Sequence, residues 1–230
     1  MVIARLLGDA GHVAVGAASP IPATACTLLG LKNHGRPRLS LLQKREGNPF
    51  TEGSRELFDL AGQGRIDVFF LGGAQIDGEA NINLVQAGGN RFPGSFGSAF
   101  MYFTARRTIL FREEHTRRVL VPKVDFVSAP GWSPPGIERR GGPQALVTGR
   151  ALFSWQKEKR RFRLESVHPG HSAAEVRENT GFDYDADASV QATPAPTVED
   201  LALLRGPVAK RIAENYPDFA RRVWGVQETT

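Results

Sequence analysis

The chain has 230 residues, 41% of them hydrophobic and 23% charged, a composition of globular domains rather than of disordered or fibrous chains. Folding at this length hides roughly 70–75% of the unfolded surface, so one large α/β domain or two small ones can form without staples. One cysteine, Cys26, excludes an internal disulfide framework and a cysteine-held zinc, and reads as a buried thiol of a reducing cytoplasm. No apolar run approaches the roughly 18–20 residues of a membrane span. The opening Met1-Val2-Ile3-Ala4-Arg5 lacks a signal-peptide layout, so the expectation is a cytoplasmic protein with no membrane partner. The net charge of +5 admits nucleic acid or a phosphate-bearing small molecule as partner. Arg106-Arg107, Arg117-Arg118, Arg139-Arg140 and the run 157–161 follow no single helical face and read as solvated surface.

In chain order, Val13-Ala14-Val15 and residues 38–42 are short strand candidates. Residues 22–31 between them form a helix with proline in its first turn and Gly35 beyond its end. Ser54 opens an amphipathic stretch with Leu57, Phe58 and Leu60 on one face, stopped by Gly62 and Gly64. Residues 66–71 are apolar almost without interruption, as in a strand buried on both faces. A helix over 98–106 leads into a strand at 108–111, and Val124-Asp125-Phe126-Val127 adds another core strand. Residues 146–155 and 162–167 flank the polar turn 157–161 as an antiparallel hairpin. Ser172-Ala173-Ala174-Glu175 has capping-box spacing for a short helix that Gly181 ends. Residues 191–196 form a proline-rich connector. Thr197 caps a further helix, and Gly206-Pro207 separates it from a final basic one. The whole reads as a single α/β domain over 1–230 with a mixed sheet, residues 191–230 being a helical tail packed on it.

Chemistry concentrates where the buried strand ends, in Leu71-Gly72-Gly73-Ala74-Gln75-Ile76-Asp77-Gly78-Glu79-Ala80-Asn81-Ile82-Asn83. Ligands of open α/β sheets bind at carboxyl ends of strands. Gly72 and Gly73 allow close backbone approach, and Gln75, Asn81 and Asn83 supply amides for a carbonyl or phosphate oxygen; the alternative is a tight turn. A second glycine loop at 88–98, containing Gly94, Ser95 and Gly97, feeds a helix N-terminus beside Arg91 and reads as an anion site. Neither loop carries a nucleotide fingerprint. His168-Pro169-Gly170-His171 reads as a structural turn rather than a metal site, and no Gly-x-Ser-x-Gly elbow is present. Glu46, just past a strand and beside Gly47, is a loop residue or a carboxylate able to attack an activated acyl group.

These segments, in this order, resemble the β subunit of family I CoA-transferases of the glutaconate CoA-transferase type, and its relatives acting on CoA thioesters in steroid-ring degradation. The resemblance rests on 71–83, on Pro93-Gly94-Ser95-x-Gly97, on Val124-Asp125-Phe126-Val127 with Pro130-Gly131-Trp132, and on Ser166-Val167-His168-Pro169-Gly170. It continues in Val176-Arg177-x-x-Thr180-Gly181-Phe182 and in Pro196-Thr197-x-Glu199-x-Leu201-x-Leu203-Leu204. It implies an open α/β/α fold with three layers and an α-type partner subunit sharing the active site. Acyl-CoA and a free carboxylic acid would be the substrates, with CoA a substrate rather than a resident cofactor; nucleic acid is not expected as a partner, since no helix-turn-helix or RNA-binding signature accompanies the charge. A glutamate after the second strand would attack the thioester and carry CoA as a glutamyl thioester. The resemblance makes Glu46 that glutamate when the loop shifts by one or two residues, since without a gap the position falls on Lys44 or Arg45. Gly72, Gly73, Gln75, Asn81, Asn83, Gly94, Ser95 and Gly97 would line the CoA or substrate site. Ala80 and Phe96 stand where the family pattern has glycine, which is expected to narrow the space beside a ligand. The same resemblance leaves open a ring-cleaving hydrolase or a noncatalytic acyl-CoA-binding subunit.

Overall fold

The computed structural model describes residues 1–44, 50, 52 and 54–226. The chain divides into two units, Met1–Leu57 with Ile66–Phe70 and Ala195–Thr230, and Phe58–Arg65 with Leu71–Pro194. In the first, helix α1 (Val2–Leu7) leads to strand β1 (His12–Val15), all four of whose residues are buried. Helix α2 (Pro20–Lys32) follows, started by Pro20 where a missing N–H costs nothing, and its buried face includes Ala23, Cys26 and Leu28. Gly35 takes a left-handed φ of 89° and donates its N–H to Gly30 O, ending the helix as expected. Strand β2 (Arg38–Leu41) pairs in parallel with β1, helix α3 (Ser54–Gly62) comes next, and strand β3 (Val68–Leu71) lies parallel to β1 on its other side. Asp67 reinforces that pairing, its Oδ2 accepting from Gly11 N and His12 N at 2.9 Å each. The doubly buried strand expected over 66–71 is therefore present as β3, four residues long.

The second unit opens with short pieces: β4 (Gln75–Ile76) antiparallel to β5 (Ile82–Asn83), then β6 (Gln86–Ala87) and β7 (Asn90–Arg91). The last two form a two-residue hairpin through Gly88 and Gly89, at φ of 55° and 79°. Helix α4 (Ser98–Thr104) precedes β8 (Arg107–Arg112), β9 (Pro143–Thr148), β10 (Ala151–Gln156), β11 (Arg161–Val167), helix α5 (Ala173–Asn179) and β12 (Asp185–Ala192). Their order is β12-β11-β10-β9-β8, parallel at both ends and antiparallel around β10, which gives the mixed sheet. Phe153, Phe162, Phe182 and Tyr184 meet edge-on and tilted in its core.

Several expectations are corrected. Residues 146–155 are two strands, because Thr148 Oγ1 accepts from Arg150 N and Ala151 N and turns the chain at Gly149. Residues 124–127 are not a strand: the N–H groups of Val124 and Asp125 go to the side chains of Asp77 and Gln75 instead of to a ladder. Strand β12, polar and mostly exposed, extends over part of the expected connector. Ser172 caps α5 by accepting from Glu175 N, but the Glu175 carboxylate turns to His171 and Arg150 rather than closing the box. Arg139 is not solvated: its guanidinium donates to Gly141 O, Pro130 O and Tyr102 O.

Back in the first unit, Thr197 and Asp200 close a full capping box on helix α6 (Val198–Leu203). The bond from Lys32 Nζ and the cap bonds hold the buried Asp200 carboxyl down to about 2. Gly206-Pro207 does not break the chain away. It is absorbed in a π-helical turn, Leu204–Val208, that runs on into α7 (Ala209–Ala213), with α8 (Pro217–Trp224) last. Among the described residues no helix is long and apolar enough to cross a membrane.

Two histidines of the second unit, His115 and His168, are structural. Thr180 spends its hydroxyl proton on Val176 O, so His115 Nε2 donates to Thr180 Oγ1 and Nδ1 accepts from Thr148 Oγ1, the neutral tautomer. Burial lowers His115 to about 4. His168 Nε2 donates to Thr148 O and Nδ1 accepts from Thr193, and burial lowers it too. Because the unfolded chain takes up these protons near pH 6.5 and the folded chain does not, stability is complete above pH 6.5 and falls toward pH 4. Denaturant titrations should show the wild type losing up to about 3 kcal/mol more across that window than His115→Gln, which keeps one donor and one acceptor without titrating. Equal pH slopes for the two proteins would contradict this.

Candidate functional site

Strand β3 ends at Leu71 and the chain turns sharply through two glycines. A Cβ on Gly72 would sit 2.9 Å from Phe111 O, and one on Gly73 would sit 2.6 Å from Gln75 O and 2.9 Å from Ile82 Cγ2. Only glycine fits either position. The turn returns as β4 and β5, closed by Ala74 N donating to Asn83 O. The structure therefore gathers Gly72, Gly73, Gln75, Asn81 and Asn83 into one corner.

The corner's polar side chains are spent on its own backbone. Gln75 Oε1 accepts from Asn83 Nδ2 at 2.8 Å and from Asp125 N at 2.9 Å. Asn83, fully buried, also donates to Gln86 O and accepts from Val85 N and Gln86 N. Asn81 donates to Asp77 Oδ2 and accepts from Gly131 N. Asp77, 3% exposed, receives N–H groups from Glu79, Asn81 and Val124 as well as the Asn81 amide. Burial raises its pKa, and these bonds pull it back. Sequence reasoning gives Asp77 no role, although it stands inside the motif. Its signal is the Asp-x-x-x-Asn spacing, which lets one carboxylate close a turn onto residue 81.

Ala80 sits in this turn at φ 60°, the left-handed region its glycine counterpart would favour, and is fully buried. Its carbonyl accepts from the buried Tyr102 hydroxyl at 3.0 Å. Gly131 packs against the same turn so tightly that a Cβ there would lie 2.2 Å from Glu79 O and 2.7 Å from Ala80 O.

The second loop lies in the same unit but is held differently. Gly94 is left-handed at φ 117° with open space around it, and Ser95 O accepts from Ser98 N to start α4. Gly97 makes room for an aromatic: a Cβ there would come within 2.1 Å of the Phe58 ring. Phe96, at φ 47° and 83% exposed, leans on Phe58 with ring centroids 5.9 Å apart. Among the described residues no hydrogen bond joins Gly94, Ser95 or Gly97 to the Asp77 corner. Glu46 lies outside the described residues, and among those described no group of side chains could hold a metal ion.

Two substitutions test the corner as a self-satisfied structural unit. Asp77→Asn places a donor among N–H groups and should lower stability by about 2 kcal/mol. Gly131→Ala forces the 79–80 backbone aside and should cost as much or more. Chemical denaturation reads both, and an unchanged midpoint for either would sink this account.

Residues 5–179 match the family described as coenzyme A transferase. Over 147 residues the chain is 37% identical to the β-type subunit of glutaconate CoA-transferase from Acidaminococcus fermentans, covering 58% of this chain and 54% of that protein. Over 163 residues it is 31% identical to the cholesterol ring-cleaving hydrolase IpdB subunit of Rhodococcus jostii, covering 66% and 62% respectively. The match thus spans little more than half of the first relative's length and about three-fifths of the second's. The fold is similar to that of Rhodococcus jostii RHA1 IpdAB, with TM-score 0.76 and 25% identity over 89% of this chain and 90% of that one. It is also similar to the decarboxylase AibA/AibB, with TM-score 0.70 and 26% identity over 89% of this chain and 90% of that one.

Proposed function

The chain belongs to the coenzyme A transferase family, and on that premise we propose that it is the β-type subunit of a two-chain enzyme moving CoA from an acyl-CoA to a free carboxylic acid. The observation that supports this best is the glycine corner following β3, at the strand end where α/β sheets receive ligands, built from the segment that carries the strongest family motif. In this reading Glu46, which follows β2 in the sequence, is the nucleophile. Its carboxylate oxygen adds to the thioester carbonyl and CoA thiolate leaves, giving an acyl-glutamyl anhydride. The thiolate then attacks the glutamyl carbonyl, the donor carboxylate departs, and CoA rests on the enzyme as a glutamyl thioester. The acceptor carboxylate runs the same steps in reverse, so no water is consumed. Main-chain N–H groups of the 72–73 and 94–97 glycines would stabilise the oxyanions, each such donor being worth roughly 3–4 kcal/mol in other enzymes. Gln75, Asn81 and Asn83 serve the site by fixing that backbone rather than by touching the ligand. An α-type subunit completes the site, CoA is substrate and not resident cofactor, and the enzyme works in the cytoplasm.

A second reading, hydrolytic cleavage of a CoA-linked ring, is favoured by the likeness to the ring-cleaving hydrolase subunit and by Lys44-Arg45 falling at the ungapped position of the family's glutamate. Co-purification with an α-type partner and measurement of label exchange between acyl-CoA and free acids decides between the two. Transfer predicts exchange, inactivation by hydroxylamine only after acyl-CoA is added, and a loss of roughly a thousandfold or more for Glu46→Gln. Ring hydrolysis that survives Glu46→Gln, without exchange, would establish the second reading in its place.

A further inference from the structure

The basic pairs that look scattered in the sequence converge in the second unit. Arg106 and Arg107 lead into β8, Arg139 and Arg140 lie on the β8–β9 connection, and Lys157 and Arg160 form the β10–β11 hairpin tip. All six line one cleft of about 580 Å³, together with Trp132 and Trp155, and no carboxylate lines it. Elsewhere in this unit several cations face carboxylates: Glu114 takes Arg112 and Arg118, Asp185 takes Lys159 and Arg161, and Asp187 takes Arg163. Arg139 and Arg140, by contrast, bond only to neutral main-chain carbonyls. Arg160 stacks its guanidinium 3.9 Å from the centre of the Trp132 ring. For Arg139, Arg140, Lys157 and Arg160 no ion pair forms among the described residues. Uncompensated like charge at such spacing is repulsive, and a multiply charged anion relieves it.

Two chemistries thus share one concavity of the size that small ligands fill: a fork-shaped cation set suited to phosphates, and indole faces suited to a planar base. A neutral base would leave the arginines unused, while a base laid against the Arg160–Trp132 stack would extend it. We propose that this cleft binds a phosphorylated nucleoside, with its phosphates on Arg140 and Lys157 and its base stacked at Trp132 beside Arg160. A free nucleotide and the phosphorylated adenosine end of CoA both present this chemistry, and only the second source rests on the function proposed above. The cleft opens where β8 begins. Gly72 packs on Phe111 near that strand's other end, roughly 13 Å along it, so the cleft is separate from the glycine corner.

Titration of the full chain at low salt, followed by tryptophan fluorescence and calorimetry, tests this with adenosine 3′,5′-bisphosphate, ATP, CoA, tripolyphosphate and adenosine as probes. Saturable nucleotide binding at least tenfold tighter than that of tripolyphosphate or adenosine is expected, weakening steeply with salt. Arg140→Ala and Arg160→Ala should each weaken it about tenfold, and Trp132→Leu should erase the preference for nucleotide over tripolyphosphate. Lys157→Ala, on the exposed tip, gives a variant whose folding is not at risk. CoA binding tenfold tighter than the bisphosphate and displaced by it assigns the CoA end; CoA no tighter than ATP assigns a free nucleotide. Absence of saturable nucleotide binding, equal affinity for tripolyphosphate, or indifference to all four variants would overturn the proposal. Because binding is read without turnover, its failure leaves CoA transfer standing, and failed CoA exchange leaves this site standing.

Discussion

The buried carboxylate of Asp77 is the constraint around which the irregular half of the second unit is arranged. Every buried main-chain N–H needs a partner, and in strands and helices the chain supplies one by repetition. Residues 77–81 and 122–131 do not repeat, so side chains do the work: Asp77 collects Glu79, Asn81 and Val124, Asn81 collects Gly131, and Gln75 with Asn83 collects Asp125, Val85 and Gln86. Bonds to a charged acceptor are worth about 1.5–3 kcal/mol each, against about 1 kcal/mol for neutral ones, which is why one carboxylate can anchor a turn that two-residue strands could not hold. The cost is that the carboxamides which looked available to a ligand are already committed. Their work in the corner is to hold its main chain in place.

That division explains which parts of the molecule were legible in the sequence. Patterns that depend on neighbours along the chain came through: the doubly buried strand β3, the hairpin at 151–167, the Thr197 cap and the left-handed stop at Gly35. Patterns set by distant partners did not. Val124-Asp125-Phe126-Val127 has the composition of a strand, yet the N–H groups of Val124 and Asp125 are taken by side chains 47 and 50 residues earlier. Strand β12 carries Asp-Ala-Asp-Ala rather than β-branched residues, because it stands at one end of the sheet order and its cross-strand ions, Asp185 with Lys159 and Arg161, supply what burial would otherwise supply. Gly181 reads as a helix stop, but its place is fixed by crowding: a Cβ there would lie 2.3 Å from Leu120 O.

The departures from the family pattern are also sharper with geometry attached. At Ala80 the backbone keeps the left-handed shape that glycine would take freely, so the substitution changes strain and fills a buried point rather than altering the path of the turn. At Phe96 the same strain is accepted by a side chain that faces solvent and touches Phe58. The narrowing expected beside a ligand is therefore not a property of the two positions alike. One is enclosed, the other exposed.

The distribution of charge follows from the sheet rather than from the sequence. Arg106-Arg107, Arg139-Arg140 and Lys157 with Arg160 are far apart along the chain and share no helical face, so no periodicity can reveal them as a group. The order β11-β10-β9-β8 brings the start of β8, the approach to β9 and the β10–β11 tip to one end of four adjacent strands. No carboxylate lines the cleft they share, whereas acids pair with Arg161, Arg163 and Arg118. Instead carbonyl oxygens and an indole face receive Arg139, Arg140 and Arg160, groups that orient a guanidinium without cancelling its charge. Orientation without neutralisation is the condition under which an arginine stays available to an anion.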